Sequence, residues 1–243
     1  MKKAVLILMI LLSFSAYSQL DVKIDSIVSN DSNSLKRKFS IAYHISNKTN
    51  KPVSFFLRPE SLIANAASSL TLFTVYKIYQ NGIFQDMDGP FFERYVPEME
   101  ALEDFPDYNS PKAAEVIKQI NDKYKAEFRT ILDNYKKNGG TATDDGWIIR
   151  NHKLLQSKMT LQAGETKDFT IKTSWNKIRT VNNGDLEYYL NERDRIDFEL
   201  VLDLKKSLFK DELSEAQFTE IMKDENFIQG IFTSNRTKIN FGE

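Results

Sequence analysis

Apolar and polar residues alternate along much of this chain, and the clearest instance is Phe39 to Leu57 (FSIAYHISNKTNKPVSFFL). Phe39, Ile41, Tyr43 and Ile45 fall on one side of an extended chain, with Ser40, Ala42, His44 and Ser46 on the other. Successive side chains of a strand point to opposite faces of a sheet, so this is the pattern of a half-buried strand. Asn47 to Lys51 is rich in turn formers, and after Pro52 the residues Val53, Phe55 and Leu57 again share a face. The stretch therefore predicts a hairpin, which needs a second sheet over its apolar side.

Other segments repeat the theme. Asp21 to Ser29 predicts an opening edge strand, and Leu70 to Ile78 another strand. Asn81-Gly82 then predicts a tight hairpin into Ile83 to Gln85. Ser61 to Ala67 fits either a helical turn or a loop. Trp147 to Ile149 is strand-like, and Lys158 to Leu161 with Thr166 to Trp175 predicts a hairpin turning at Gln162 to Glu165. Arg195 to Leu204 alternates without fault, and Phe227 to Phe232 and Arg236 to Phe241 offer closing strands.

Two segments carry the 3.6-residue period instead. Ala113, Ile117, Ile120, Tyr124, Phe128, Ile131 and Tyr135 form one stripe, with Ser110 as N-cap, Pro111 in the first turn and Gly139-Gly140 as the stop. A helix over 111–137 would be about 40 Å long, and its stripe predicts packing on the sheets. Ser214 with Gln217 makes a capping box for a short C-terminal helix, and Leu213 with Phe218 the matching hydrophobic staple.

Many short strands without a βαβ rhythm predict a mainly β fold, an antiparallel sandwich. Residues 19–243 read as one such domain, with an irregular and helical insertion over 86–146. The segments ISNKTNKPVSFFL and LQAGETKDFTIKTSW resemble secreted immunoglobulin-like sandwich domains. That resemblance implies binding or scaffolding. The absence of a disulfide departs from the antibody pattern, and no functional residue carries over.

The N-terminus changes the picture of where the protein acts. Lys2 and Lys3 precede an apolar run from Ala4 to Leu12, and Ala16-x-Ser18 presents a small-x-small cleavage site before Gln19. Residues 1–18 thus predict a signal peptide and export to the periplasm or beyond, with no membrane span after cleavage. The segment around Ala16-Tyr17-Ser18-Gln19 is similar to leaders of bacteria with Lys- and Asn-rich secretomes. Taking Lys2 and Lys3 from 33 basic against 34 acidic residues leaves a net charge of −3. That balance gives no electrostatic reason to expect nucleic acid or an anionic membrane. With no cysteine in the chain, disulfides, thiol catalysis and thiolate metal sites are excluded.

Candidate chemistry is sparse. His44 and His152 are the two histidines, with no zinc-ligand spacing and no serine signature beside them. Asp86-x-Asp88-Gly89 with Glu93 could gather oxygen ligands for Ca²⁺, and Asp144-Asp145-Gly146 is a weaker set. Phe91, Phe92, Tyr95, Phe105 and Tyr108, set among acidic residues, could form an aromatic platform for a protein or glycan of the cell envelope. Lys136-Lys137 and Lys205-Lys206 read as solvated pairs. The expectation is an exported, non-enzymatic binding protein. The alternatives are a glycoside-type hydrolase using carboxylates from 86–107, and a secreted hydrolase inhibitor presenting Lys48 to Lys51 or Asn81-Gly82.

Overall fold

The computed structural model describes residues 19–30, 32, 36–64, 71–85, 93–94, 110–176 and 190–241. The expected leader, and most of the irregular insertion, lie outside these residues. The fold is mainly β with three helices.

The first sheet runs in the order β1 (Leu20–Asn30), β2 (Lys36–Asn47), β9 (Thr166–Asn176), β7 (Glu93–Arg94), all antiparallel. Its register between β2 and β9 is unbroken from Lys36↔Asn176 to Ser46↔Thr166. The second sheet centres on β10 (Ile196–Leu204) and β5 (Phe73–Gln80). Beside β10 lie β11 (Gly230–Thr233) and β12 (Thr237–Lys238), and beside β5 lie β4 (Arg58–Ala64) and β6 (Ile83–Gln85). Of the undecided segment, Ser61 to Ala64 belongs to a strand and the rest lies outside the described residues; β4 pairs with β5 in parallel, an exception to the antiparallel expectation. The β5–β6 turn forms as expected, with Asn81 and Gly82 both at positive φ (53° and 82°), the backbone that an Asn-Gly hairpin turn demands.

Both expected long hairpins are corrected. β2 does not pair with β3 (Val53–Phe56), nor β8 (Lys158–Leu161) with β9; instead β2 pairs β9 and β3 pairs β8. The two chains leave the first sheet side by side and re-pair as a separate two-stranded ribbon. Asn47 holds this double corner. Its buried Nδ2 donates to the carbonyls of Lys51, Leu161 and Gln162, while its Oδ1 accepts from Thr49 N and Oγ1. The polar turn residues are present as the sequence indicates, but their hydrogen bonds reach across to the other corner rather than closing a local hairpin.

Apolar residues of both sheets and of the ribbon form one core, including Ile41, Tyr43, Ile45, Phe55, Tyr76, Ile171, Phe198 and Leu200. A second cluster of Phe56, Leu154, Phe209, Leu213, Ile221 and Phe227 lies under the helices. All four residues of β3 are buried, because Val53 and Phe55 face the first cluster and Phe56 the second.

The long helix, α1 (Pro111–Lys137), matches the expected range, with Ser110 Oγ accepting from Ala113 N at 3.1 Å. Its stripe is less buried than expected. Ala113 and Ile131 are buried, but Ile117 and Tyr124 are about two-fifths exposed, and the helix runs along α2 (Asp145–Gln156). α2 itself corrects the strand expected at Trp147 to Ile149. A short apolar run cannot separate strand from helix by period alone. Here Asp144 accepts from Trp147 N, and Ile148, Asn151 and Leu154 fall on one buried helical face. Asp144 is therefore a helix cap, which accounts for its place in the weaker acidic set. The last helix, α3 (Glu215–Lys223), carries the full Ser214/Gln217 capping box, and Leu213 and Phe218 share the second cluster. Asn151 of α2 donates to Gln217 Oε1 and Glu212 O, tying the helices together.

Candidate functional site

Where α2 ends and β8 begins, the chain bends at Ser157, whose carbonyl accepts from Leu57 N. This brings the start of β4, the middle of α1, the end of α2, β8 and the start of β9 around an open cleft of about 600 Å³. Its lining is mostly polar. Arg58, Lys153, Lys158 and Lys167 supply cations, Glu60 and Glu127 supply carboxylates, and Ser61, Gln156 and Thr160 supply hydrogen-bonding groups. Leu57, Pro59, Met159 and Phe169 give it an apolar floor.

The cations are held in place largely by aromatic rings. The Arg58 guanidinium lies 5.9 Å from the centroid of Phe73, and Lys158 Nζ 5.9 Å from that of Phe227. Lys153 Nζ sits 4.7 Å from the Phe128 ring and 3.2 Å from Glu127 Oε1. Lys167 Nζ donates to Thr160 O and pairs at 3.7 Å with Glu165. A ring face orients a cation without neutralising it, and Arg58 and Lys158 form no ion pair among the described residues. The exposed half of the α1 stripe, Tyr124 with Phe128, has this orienting role toward Lys153.

Behind the floor, the Tyr43 hydroxyl donates to Pro59 O at 2.8 Å and lies 3.3 Å from Thr74 Oγ1. Burial pushes the Tyr43 phenol above its ordinary value, against the Thr74 hydrogen bond and with a smaller contribution from the Glu60 charge. Tyr43 thus stays neutral and fixes the Arg58–Pro59–Glu60 side of the cleft.

The residues singled out in the sequence are mostly elsewhere. Phe91, Phe92, Tyr95, Phe105, Tyr108, Asp86 and Asp88 lie outside the described residues. Glu93 is in β7, paired with Ser174 in the first sheet. His152 is on α2, away from the cleft lining. Lys206, expected to be solvated, donates to the carbonyls of Ile221, Met222 and Asp224 and so closes the C-terminal end of α3. Lys48 to Lys51 form the Asn47 corner, and Asn81 is anchored to Arg195 by bonds in both directions.

His44 has company that its spacing in the sequence conceals. It stands on the outer face of the first sheet between Asp25 of β1 and Asp168 of β9. The cleft residues come from five elements, and no motif links them. Lys153, Lys158 and Lys167 lie within fifteen residues of one another, but on a helix and two strands, so their spacing marks no motif. Comparison with protein-family models, with curated proteins and with solved structures found no match in any of the three.

Proposed function

We propose that this protein is an exported binding protein that takes an acidic glycan of the cell envelope into the cleft between α1, α2 and the strands β4, β8 and β9. The single observation that carries this reading is the set of cations in the cleft, exceeding its carboxylates by two and oriented by aromatic rings. Hydroxyl and amide side chains beside them suit a sugar polymer, and the open shape admits a chain rather than a small molecule. Export rests on the leader-like residues 1–18. An immunoglobulin-like arrangement of the two sheets around one core belongs to the same proposal, since such scaffolds commonly present ligands at loops and edges.

The test is retention on polygalacturonate compared with neutral dextran, in low and high salt. Binding should be selective for the acidic polymer and fall by about fivefold to thirtyfold in an Arg58→Ala/Lys158→Ala double variant, since each exposed charge contact contributes about 0.5–1 kcal/mol. Equal retention of wild type and double variant would remove the cleft from consideration. One observation favours a second reading: Glu60 and Glu127 share the cleft, as a carboxylate-based hydrolase requires. New reducing ends released from the polymer by wild type, but not by Glu60→Gln or Glu127→Gln, would establish that reading instead.

A further inference from the structure

On the outer face of the first sheet, β1 breaks its own alternation. Its register against β2 shifts between Ile24↔Tyr43 and Ser26↔Ala42, leaving Asp25 as an inserted residue. The bulge places Asp25 and Ser26 together on the exposed side, where regular pleating would have sent one of them inward. Asn235 fixes the spot from the strand's edge. Its Oδ1 accepts from Ile24 N at 2.8 Å and its Nδ2 donates to Ile24 O at 3.2 Å, so a side chain substitutes for a neighbouring strand.

The consequence is chemical. Asp25 Oδ2 comes to 2.9 Å from His44 Nδ1, and Asp168, directly opposite His44 on β9, faces the same side. One ligand atom from each of the three lies within 4.8 Å of the others. They stand on three adjacent strands, which is a stiffer support than a loop. His44 keeps only about a fifth of its side-chain surface exposed, and Asp25 about two-fifths.

We infer that Asp25, His44 and Asp168 form a binding site for a divalent transition-metal ion of the Zn²⁺ type. An imidazole with two carboxylates matches the nitrogen and oxygen preferences of such ions. It does not match Ca²⁺, which takes six to eight oxygen ligands. Three protein ligands leave a fourth position to water or to a group on a partner. The cation closest in register is Lys23, opposite His44 on β1, and its charge opposes the metal. The site is separate from the cleft: Lys167 and Phe169 line the cleft from the inner face of β9, while Asp168 between them points outward.

The experiment titrates Zn²⁺ into the untagged protein by calorimetry, alongside Ca²⁺ and with His44 ring signals followed by NMR. One Zn²⁺ should bind per chain with Kd of about 10 μM or tighter. Ca²⁺ should bind at least about tenfold more weakly. Each of Asp25→Ala, His44→Ala and Asp168→Asn should weaken Zn²⁺ binding by about tenfold or more, because even outer-sphere losses cost that much. Lys23→Gln should tighten it, and His152→Ala should leave it unchanged. The proposal is overturned if Zn²⁺ does not bind below about 100 μM. It is equally overturned if binding survives His44→Ala, is lost in His152→Ala, or is matched by Ca²⁺. Asp25, His44, Asp168 and Lys23 lie on the outer face of the first sheet, and an unchanged Tm without metal separates lost ligation from lost folding.

Discussion

β9 and β10 read almost alike in sequence, each alternating apolar and polar residues, yet the protein uses them in opposite ways. In β9 the polar side of the strand, with Asp168, Thr170 and Lys172, is exposed, and the apolar side meets the core. In β10 all nine residues are buried, Asp197, Glu199 and Asp203 among them. The difference lies in how the polar residues are paired. Both strands have neighbours on each side, but each carboxylate of β10 is matched by a cation: Asp197 by Arg195, Glu199 by Arg236, Asp203 by Lys205. A carboxylate taken from water must be paired, so those of β10 are committed to the fold. Asp168 is not committed, and that leaves it available for a ligand.

The sharpest way to break this contrast is to remove a carboxylate from each strand. Glu199 accepts from the Tyr79 hydroxyl at 2.7 Å and from Arg236 Nε at 3.3 Å, with the Arg236 guanidinium 3.6 Å above the Tyr79 ring. Glu199→Ala should cost about 2–3 kcal/mol, below the figure for a wholly buried pair because Arg236 is half exposed. Urea denaturation with an unchanged m-value checks it. A loss under about 0.5 kcal/mol would mean that these buried carboxylates are as dispensable as exposed ones.

A second contrast sets Tyr43, on the inner face of the first sheet, against Tyr79, on the outer face of the second. Burial raises the Tyr43 phenol above its ordinary value of 10.0. Burial and then Glu199 raise Tyr79, while the Arg236 charge opposes. A group with a raised folded pKa supplies stability that is complete below the unfolded value and disappears as pH climbs toward the folded one. Stability should therefore fall above about pH 10, by up to about 1.4 kcal/mol per pH unit for each tyrosine still protonated in the folded state. Near pH 11.5, Tyr43→Phe should recover about 2 kcal/mol of this alkaline loss, each protein being referenced to its own stability at pH 8. Tyr79→Phe should recover less. Equal slopes in wild type and Tyr43→Phe would show that the phenol is not held neutral by burial.

Much of the secondary structure was legible because local signals agreed with one another. Ser110, Pro111 and Gly139 frame α1, the Ser214/Gln217 box starts α3, and Asn81-Gly82 turns β5 into β6. What the chain did not disclose is partner choice. Asn47 to Lys51 has the composition of a hairpin turn, but the side chain of Asn47 bonds to residues beyond position 160, and that decides the pairing. Trp147 to Ile149 was too short a run for its period to matter until Asp144 capped it. The cleft gathers single residues from five elements, and the Asp25–His44–Asp168 cluster depends on a bulge and two strand registers. Registers are set by tertiary packing, so such sites leave no spacing to read.

The smallest expected effect completes the contrast between the strands. Thr170, opposite Ala42 on the outer face, and Asp168, opposite His44, are both exposed neighbours on β9. Thr170→Val and Asp168→Asn should each change stability by no more than about 0.5 kcal/mol, because neither leaves a buried group without a partner. Thermal unfolding without added metal measures both. If Asp168→Asn alone lowered stability by more than about 1 kcal/mol, Asp168 would be a structural partner of the kind found on β10. The distinction between committed and available carboxylates would then fail at the residue where it matters most.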